Sequence, residues 1–342
     1  MRSHRLVPWA LLCLALVACA DRAPTDSTAF ASAIPTEADR IWVGPEYYAN
    51  RLQDWRVEGG RIESVEGRAS KPMRTLHLLT RALAETPGTA LMQVRTGPIE
   101  AGPAHEDTWS GFLLGVGGEG VDHRISALSH HWPSDDGGLI VAFDGTGRIV
   151  VRDNSLNQGY RGADPAIPLE AWPLLEPDWF ESPEHTSTDV ELTVELQPEG
   201  DAYRLTVTVR DAETEAVVGA ASYGAIPPHQ VSGNMALVSN RSPRREGPDP
   251  RPGYWFCDWT VSGSKVERHD ARAFGPIMGA LYALSRGTLK MTAQLGPIGG
   301  GDANTVSLEI RRDGQWQPEN ADNVLDHFVS GIPREQWFGF QQ

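Results

Sequence analysis

The sequence predicts an all-β chain: an antiparallel β-sandwich over residues 41–266, followed by a smaller, incomplete β unit over 267–342. Three observations carry this. Apolar and polar residues alternate with period 2 from Val190 to Leu196 and from Tyr203 to Val209, as half-buried strands require. Short apolar runs recur between Gly- and Pro-rich turns along most of the chain, which is the pattern of two packed sheets. Trp255, Cys257, Trp259 and Val261 alternate with Phe256, Asp258, Thr260 and Ser262, so one face of that strand needs a wide apolar layer to receive two indoles.

Taken in order, residues 1–19 read as a targeting segment. Arg2 and Arg5 precede a short apolar run, Leu6 to Val17, which is too short to span a bilayer. The run ends Leu16-Val17-Ala18-Cys19, which resembles a bacterial lipoprotein box, with Cys19 as the acylated new N-terminus. Acyl chains there would anchor the chain to the cell envelope, and Ala20 after the Cys points to the outer membrane. Ala18-Cys19-Ala20 also fits a small-x-small cleavage site, and simple secretion follows if Cys19 is not acylated. Residues 20–40, rich in Ala, Pro, Thr and Ser, read as a flexible tether.

From Ile41 the signals are β. Residues 76–85 fit a helical turn or a strand, and the strand agrees with the surroundings. Leu139 to Phe143 and Arg148 to Arg152 flank Asp144-Gly145-Thr146-Gly147, a hairpin connection. Val190–Leu196 and Tyr203–Val209 form a second hairpin with one wet face, where Glu and Arg can pair. Met235 to Val238 is apolar throughout, as a central strand is. Beyond residue 267, Leu289, Met291, Ala293 and Leu295 alternate, Gly296 to Asn304 reads as a hairpin loop, and Val306, Leu308 and Ile310 alternate next.

The amphipathic hairpin, then Gly233-Asn-Met-Ala-Leu237, then the aromatic strand closing on Val261-Ser-Gly263 resemble concanavalin A-like (laminin-G-like) jelly rolls. A narrower resemblance covers residues 41–312. Trp42-Val-Gly-Pro-Glu-Tyr-Tyr-Ala-Asn50, Leu52-Gln-Asp-Trp-Arg56, Leu76-His-Leu-Leu-Thr80, Phe274-Gly-Pro-Ile277 and Leu284 to Gln294 look like the N-terminal region of secreted alkaline phosphatase D-like proteins. In that family a β-sandwich and a small Ig-like segment precede a metallophosphatase domain. The family's catalytic motifs (Asp-x-His, Asn-His) do not occur in this chain, and Gly301-Asp302 stands without partners.

Candidate chemistry is sparse. Net charge is −15 and no basic cluster outweighs it, which excludes nucleic acid as a partner. Cys13 and Cys19 fall in or at the end of the targeting segment. Cys257 is left as a buried, inert thiol between Trp residues, and no disulfide forms in the mature chain. Glu176, Asp178 and Glu181 match the Glu-x-Asp-x-x-Glu spacing of jelly-roll glycoside hydrolases of family 16, whose two carboxylates flank a sugar bond. Pro173, Pro177 and Pro183 crowd that segment and argue for an acidic loop instead. His130, His131, Trp132, Asp135 and Asp136 gather metal-ligand types, though neighbours on a strand face opposite ways. His105, Glu106 and Asp107 are a weaker case of the same kind. No cofactor is expected; calcium would need an oxygen-rich Asp-x-Asp loop that is missing. Trp109, Trp132, Trp172, Trp179 and Tyr160 lie in loop-like segments where an aromatic sugar platform would form.

Three functions follow as expectations. The first is a non-catalytic, lipid-anchored envelope protein corresponding to the accessory region of an alkaline phosphatase D-like protein, with a phosphatase domain as partner. The second is a carbohydrate-binding laminin-G-type module. The third is a family-16-like glycosidase using Glu176 and Glu181.

Overall fold

The computed structural model describes residues 28–67, 73–101, 108–118, 121–127, 135–144, 146–155, 173–182, 187–241, 253–286, 288–300, 302, 306–312 and 315–318. In chain order its first strands are β1 (Phe30–Ala31), β2 (Asp39–Arg40), β3 (Tyr47–Tyr48), β4 (Trp55–Glu58), β5 (Arg61–Ser64), β6 (Arg74–Leu83) and β7 (Ala90–Pro98). Next come β8 (Trp109–Gly117), the short helix α1 (His123–Ser126), β9 (Leu139–Asp144), β10 (Ile149–Asp153), β11 (Trp179–Glu181), β12 (Val190–Glu199), β13 (Ala202–Asp211) and β14 (Val217–Ile226). The last are β15 (Gly233–Asn240), β16 (Tyr254–Ser262), β17 (Val266–Arg268), β18 (Ile277–Ser285), β19 (Thr288–Leu295), β20 (Glu309–Arg312) and β21 (Gln315–Pro318).

These make a two-sheet antiparallel sandwich. A ten-stranded sheet runs β11-β14-β13-β12-β7-β16-β5-β4-β2, with β1 added beside β16. A seven-stranded sheet runs β10-β9-β8-β15-β6-β17, with β3 added beside β6. The larger sheet has one dry and one wet face. In β12 and β13 the register sets Leu192 against Val209, Val194 against Val207 and Leu196 against Leu205, all buried. The smaller sheet is buried on both faces. Phe112, Leu114, Leu139, Val141, Met235 and Leu237 join the core between the sheets, while Trp109, Leu113, Ile140, Ala142, Ala236 and Val238 form a separate cluster. Successive side chains on a strand point opposite ways, so those two sets are the two faces of β8, β9 and β15.

Several expectations shift. The ordered chain begins before Ile41: Phe30 packs edge-on against Trp259, with ring centroids 5.7 Å apart, and β1 pairs with β16. Buried Arg81 fastens this segment by donating to the carbonyls of Thr28 (2.7 Å) and Ala29 (3.0 Å). Residues 28–40 are therefore part of the sandwich rather than tether. The far boundary moves as well, because β17 pairs with β6 through Arg268.

The alternation in β16 breaks in the middle. Asp258 adopts φ +53° and the register against β7 slips between Cys257 and Thr260, so two residues oppose one. Before this bulge Tyr254 and Phe256 face the core; after it Trp259 and Val261 do. Trp255 lies on the other face under the guanidiniums of Arg61 and Arg95. Cys257 is half-buried beside Asp258 rather than between core indoles. Burial raises its thiol well above the usual range, and the neighbouring Asp258 charge adds to this, so it is inert for a different reason than the sequence suggests.

Behind the sandwich, β18 pairs with β19 and β20 with β21 as two separate two-stranded units. Among the described residues β20 pairs with β21 and not with β19. Asp302 forms an ion pair with Arg40 and accepts a hydrogen bond from the Gly299 amide (2.7 Å), which ties this stretch to β2.

Candidate functional site

The ends of β6, β8 and β15 meet two tight 3-10 turns, Asp135–Gly137 and Pro228–Val231. Backbones cross here with little room. Gly138 has φ +74° and a Cβ on it would fall 1.9 Å from the Leu114 carbonyl; at Gly118, φ +60°, it would fall 3.2 Å from Asp136 Cγ. The crossing leaves a recess of about 390 Å³ lined by Glu85, Gly117, Gly118, Asp136, His229 and Ser232. That volume suits a small ligand.

The recess is built in layers. Glu85 and His229 are exposed at the rim and Asp136 is half-buried in the wall. Ser232 is the buried floor: its Oγ donates to the Pro228 carbonyl (2.8 Å) and accepts from Lys265 Nζ (3.3 Å). Lys265 is fully buried, with Nζ donating to the Ala84 carbonyl (2.6 Å) and 4.6 Å from the Tyr203 ring centroid. Next to Gly117, Asn234 Nδ2 donates to Ser126 Oγ (2.9 Å) and ties the last residue of α1 to β15. The recess thus has one carboxylate at its rim, one in its wall and the Lys265 amine one hydroxyl below its floor.

Beside it, α1 packs near β17. His123 lies 3.6 Å from Asp122 and His269 lies 3.4 Å from Glu267. Burial lowers both imidazoles below their ordinary range, and Arg272, near both, lowers each further, against the opposing pull of Asp122 and Glu267.

The predicted site residues scatter. Asp136 lines the recess, while Asp135 faces solvent and its carbonyl accepts from Ser155 Oγ (3.1 Å). Trp109 is fully buried in the cluster on the smaller sheet's second face, so it is core and not platform. Glu176, Asp178 and Glu181 are exposed; Glu176 and Asp178 lie in an irregular stretch, as the prolines predict, and Glu181 ends the three-residue edge strand β11. Asp178 is held by Arg204 Nη1 at 3.2 Å; this open edge is no cleft with carboxylates on its two walls. Among the described residues no group of three or more His, Cys, Asp or Glu could hold a metal ion. Cys13, Cys19, His105, Glu106, Asp107, His130, His131, Trp132, Tyr160 and Trp172 lie outside the described residues. Glu85, His229, Ser232 and Lys265 carried no motif that would have singled them out.

Fold and site define an antiparallel β-sandwich protein with a polar recess at one end of its smaller sheet. No family model matches the chain, and no curated protein matches its sequence. Among solved structures it is similar to lectin II from Ulex europaeus, at 9% identity over 70% of this chain and 99% of that chain, with a TM-score of 0.41. It is also similar to arcelin-5, a lectin-like defense protein from Phaseolus vulgaris (8% identity, 70% and 100%, TM-score 0.40). A third is winged bean acidic lectin complexed with methyl-alpha-D-galactose (10% identity, 70% and 99%, TM-score 0.41). Similarity at this level assigns neither a ligand nor a site to this chain.

Proposed function

We propose that the chain is a non-catalytic, carbohydrate-binding β-sandwich protein of the cell envelope, with the recess beside Asp136 as its ligand site. The recess itself carries the reading. Its rim and wall carry the carboxylates of Glu85 and Asp136, and these with the net charge of −15 repel anions. A neutral molecule with several hydroxyls meets less repulsion there than a phosphate ester does. The tight backbone crossing supports a preformed site, so little ordering accompanies binding. Acylation of Cys19 is carried into the proposal as the anchor.

The test is a thermal-shift and calorimetric screen of the purified mature chain against neutral mono- and oligosaccharides. Binding by the wild type, lost in Asp136→Asn and Glu85→Gln while the unliganded Tm holds, supports the reading. No sugar binding, or sugar binding unchanged by both substitutions, overturns it, and hydrolysis of a bound glycoside replaces binding by catalysis. For the anchor, the wild type partitions into detergent and Cys19→Ser does not; equal partitioning removes that part.

A further inference from the structure

We infer that the chain carries a second, separate binding site, a flat platform for a neutral polysaccharide built on Trp179. Trp179 lies on β11, the edge strand of the ten-stranded sheet, directly across from Ser222 of β14. Ser222 in turn faces Thr206 of β13, so the indole stands at the end of a row of hydroxyls on the wet face. Trp179 is 52% exposed, although nothing in its neighbourhood requires a large aromatic surface in water.

The polar groups beside it are already positioned. Arg204 Nη2 donates to both carboxylate oxygens of Glu199 at 2.9 Å, and Nη1 reaches Asp178 Oδ2 (3.2 Å) and Ser222 Oγ (3.1 Å). Gly224 lets this cluster lie flat: a Cβ there would fall 2.6 Å from Asp178 Oδ2 and 3.3 Å from Arg204 Nη2. Planar carboxylates and a guanidinium fixed by each other keep spare acceptors and donors that match paired ring hydroxyls. The C–H face of a pyranose covers an indole, and burying that face supplies the apolar part of the binding.

Shape decides the ligand class. The row Trp179, Ser222, Thr206 lies on an open sheet face, which suits a chain of sugars laid across strands rather than one enclosed residue. Phe180 and Leu174 are also exposed, at 68% and 51%, but Phe180 stands on the opposite face of β11 from Trp179. A protein strand docking along the β11 edge would use Phe180, so that occupant becomes an outcome of the test.

The test is affinity electrophoresis of the full mature chain in gels containing soluble hydroxyethylcellulose, galactomannan, laminarin or dextran. The wild type is retarded by at least one polymer. Trp179→Ala weakens that retardation about tenfold or more, the scale of a truncated aromatic anchor, and Trp179→Tyr restores part of it. The effect of Trp179→Ala is read in the Asp136→Asn background as well as in the wild type, so failure of this site and failure of the recess are read separately. Absence of retardation in all four gels overturns the inference, as does equal retardation of wild type and Trp179→Ala. A wild-type dimer that Phe180→Ala turns into a monomer, without polymer binding, assigns the edge to a protein partner instead.

Discussion

Replacing Phe30 by Ala tests where the folded chain begins. Phe30 is 4% exposed, edge-on to Trp259 at 5.7 Å and to Tyr47 at 6.3 Å, and lies under the Arg81 guanidinium. Loss of a buried Phe costs about 3–5 kcal/mol in transfer and cavity terms. A two-residue edge strand relaxes into the space more readily than a central one, so the lower end, about 3 kcal/mol, is expected. For a sandwich of this size each kcal/mol moves the midpoint by about 2–4 °C, which gives a fall in Tm of about 6–12 °C. Calorimetry on the mature chain reads it directly. A shift below about 2 °C refutes the packing argument and returns residues 28–40 to the role of tether.

Two further outcomes follow from geometry and charge. Gly138→Ala should cost more than an ordinary surface change and unfold first at the recess, since its Cβ meets the Leu114 carbonyl at 1.9 Å in a left-handed backbone; hydrogen exchange in residues 114–118 checks it. His123 and His269 have lowered values in the fold, so between the unfolded value near 6.5 and their folded values the unfolded chain binds more protons. Their contribution is present above about pH 6.5 and is lost as pH falls through the folded values. The urea midpoint should drop from pH 7 to pH 5 by more in the wild type than in His123→Gln/His269→Gln, and identical slopes would contradict this.

How much of the fold could be read depended on how many of a strand's faces meet water. β12 and β13 have one wet face, so their alternation was plain and their register followed. β6 is buried at all ten positions, and a strand buried on both faces loses period 2; residues 76–85, which overlap it, therefore fit a helical turn as well as a strand. β16 misled in another way. Its alternation was real on each side, but Asp258 at φ +53° inserts a residue, and a positive φ at a non-glycine leaves no trace in composition. Nor could a two-residue strand such as β1 be seen within an Ala-, Ser- and Pro-rich stretch.

The site was harder to read because its residues share neither a strand nor a spacing. Glu85 follows β6, Asp136 sits in a turn before β9, and His229 and Ser232 lie just before β15. They converge only because antiparallel neighbours end together. The one trace was a pair of glycine doublets, Gly117-Gly118 and Gly137-Gly138, which mark a place where backbones approach too closely for a Cβ. At Trp179 the sequence reading held for the irregular chain before it, residues 173–178, and missed only the three-residue strand. Pro173, Pro177 and Pro183 argued against a strand, yet an edge strand flanked by prolines is tolerated because one side of its backbone faces solvent. β11 is only three residues long, and a short edge does not invite another chain to pair with it. A large aromatic exposed on such an edge is therefore better explained by a ligand that covers its ring than by a strand that extends the sheet.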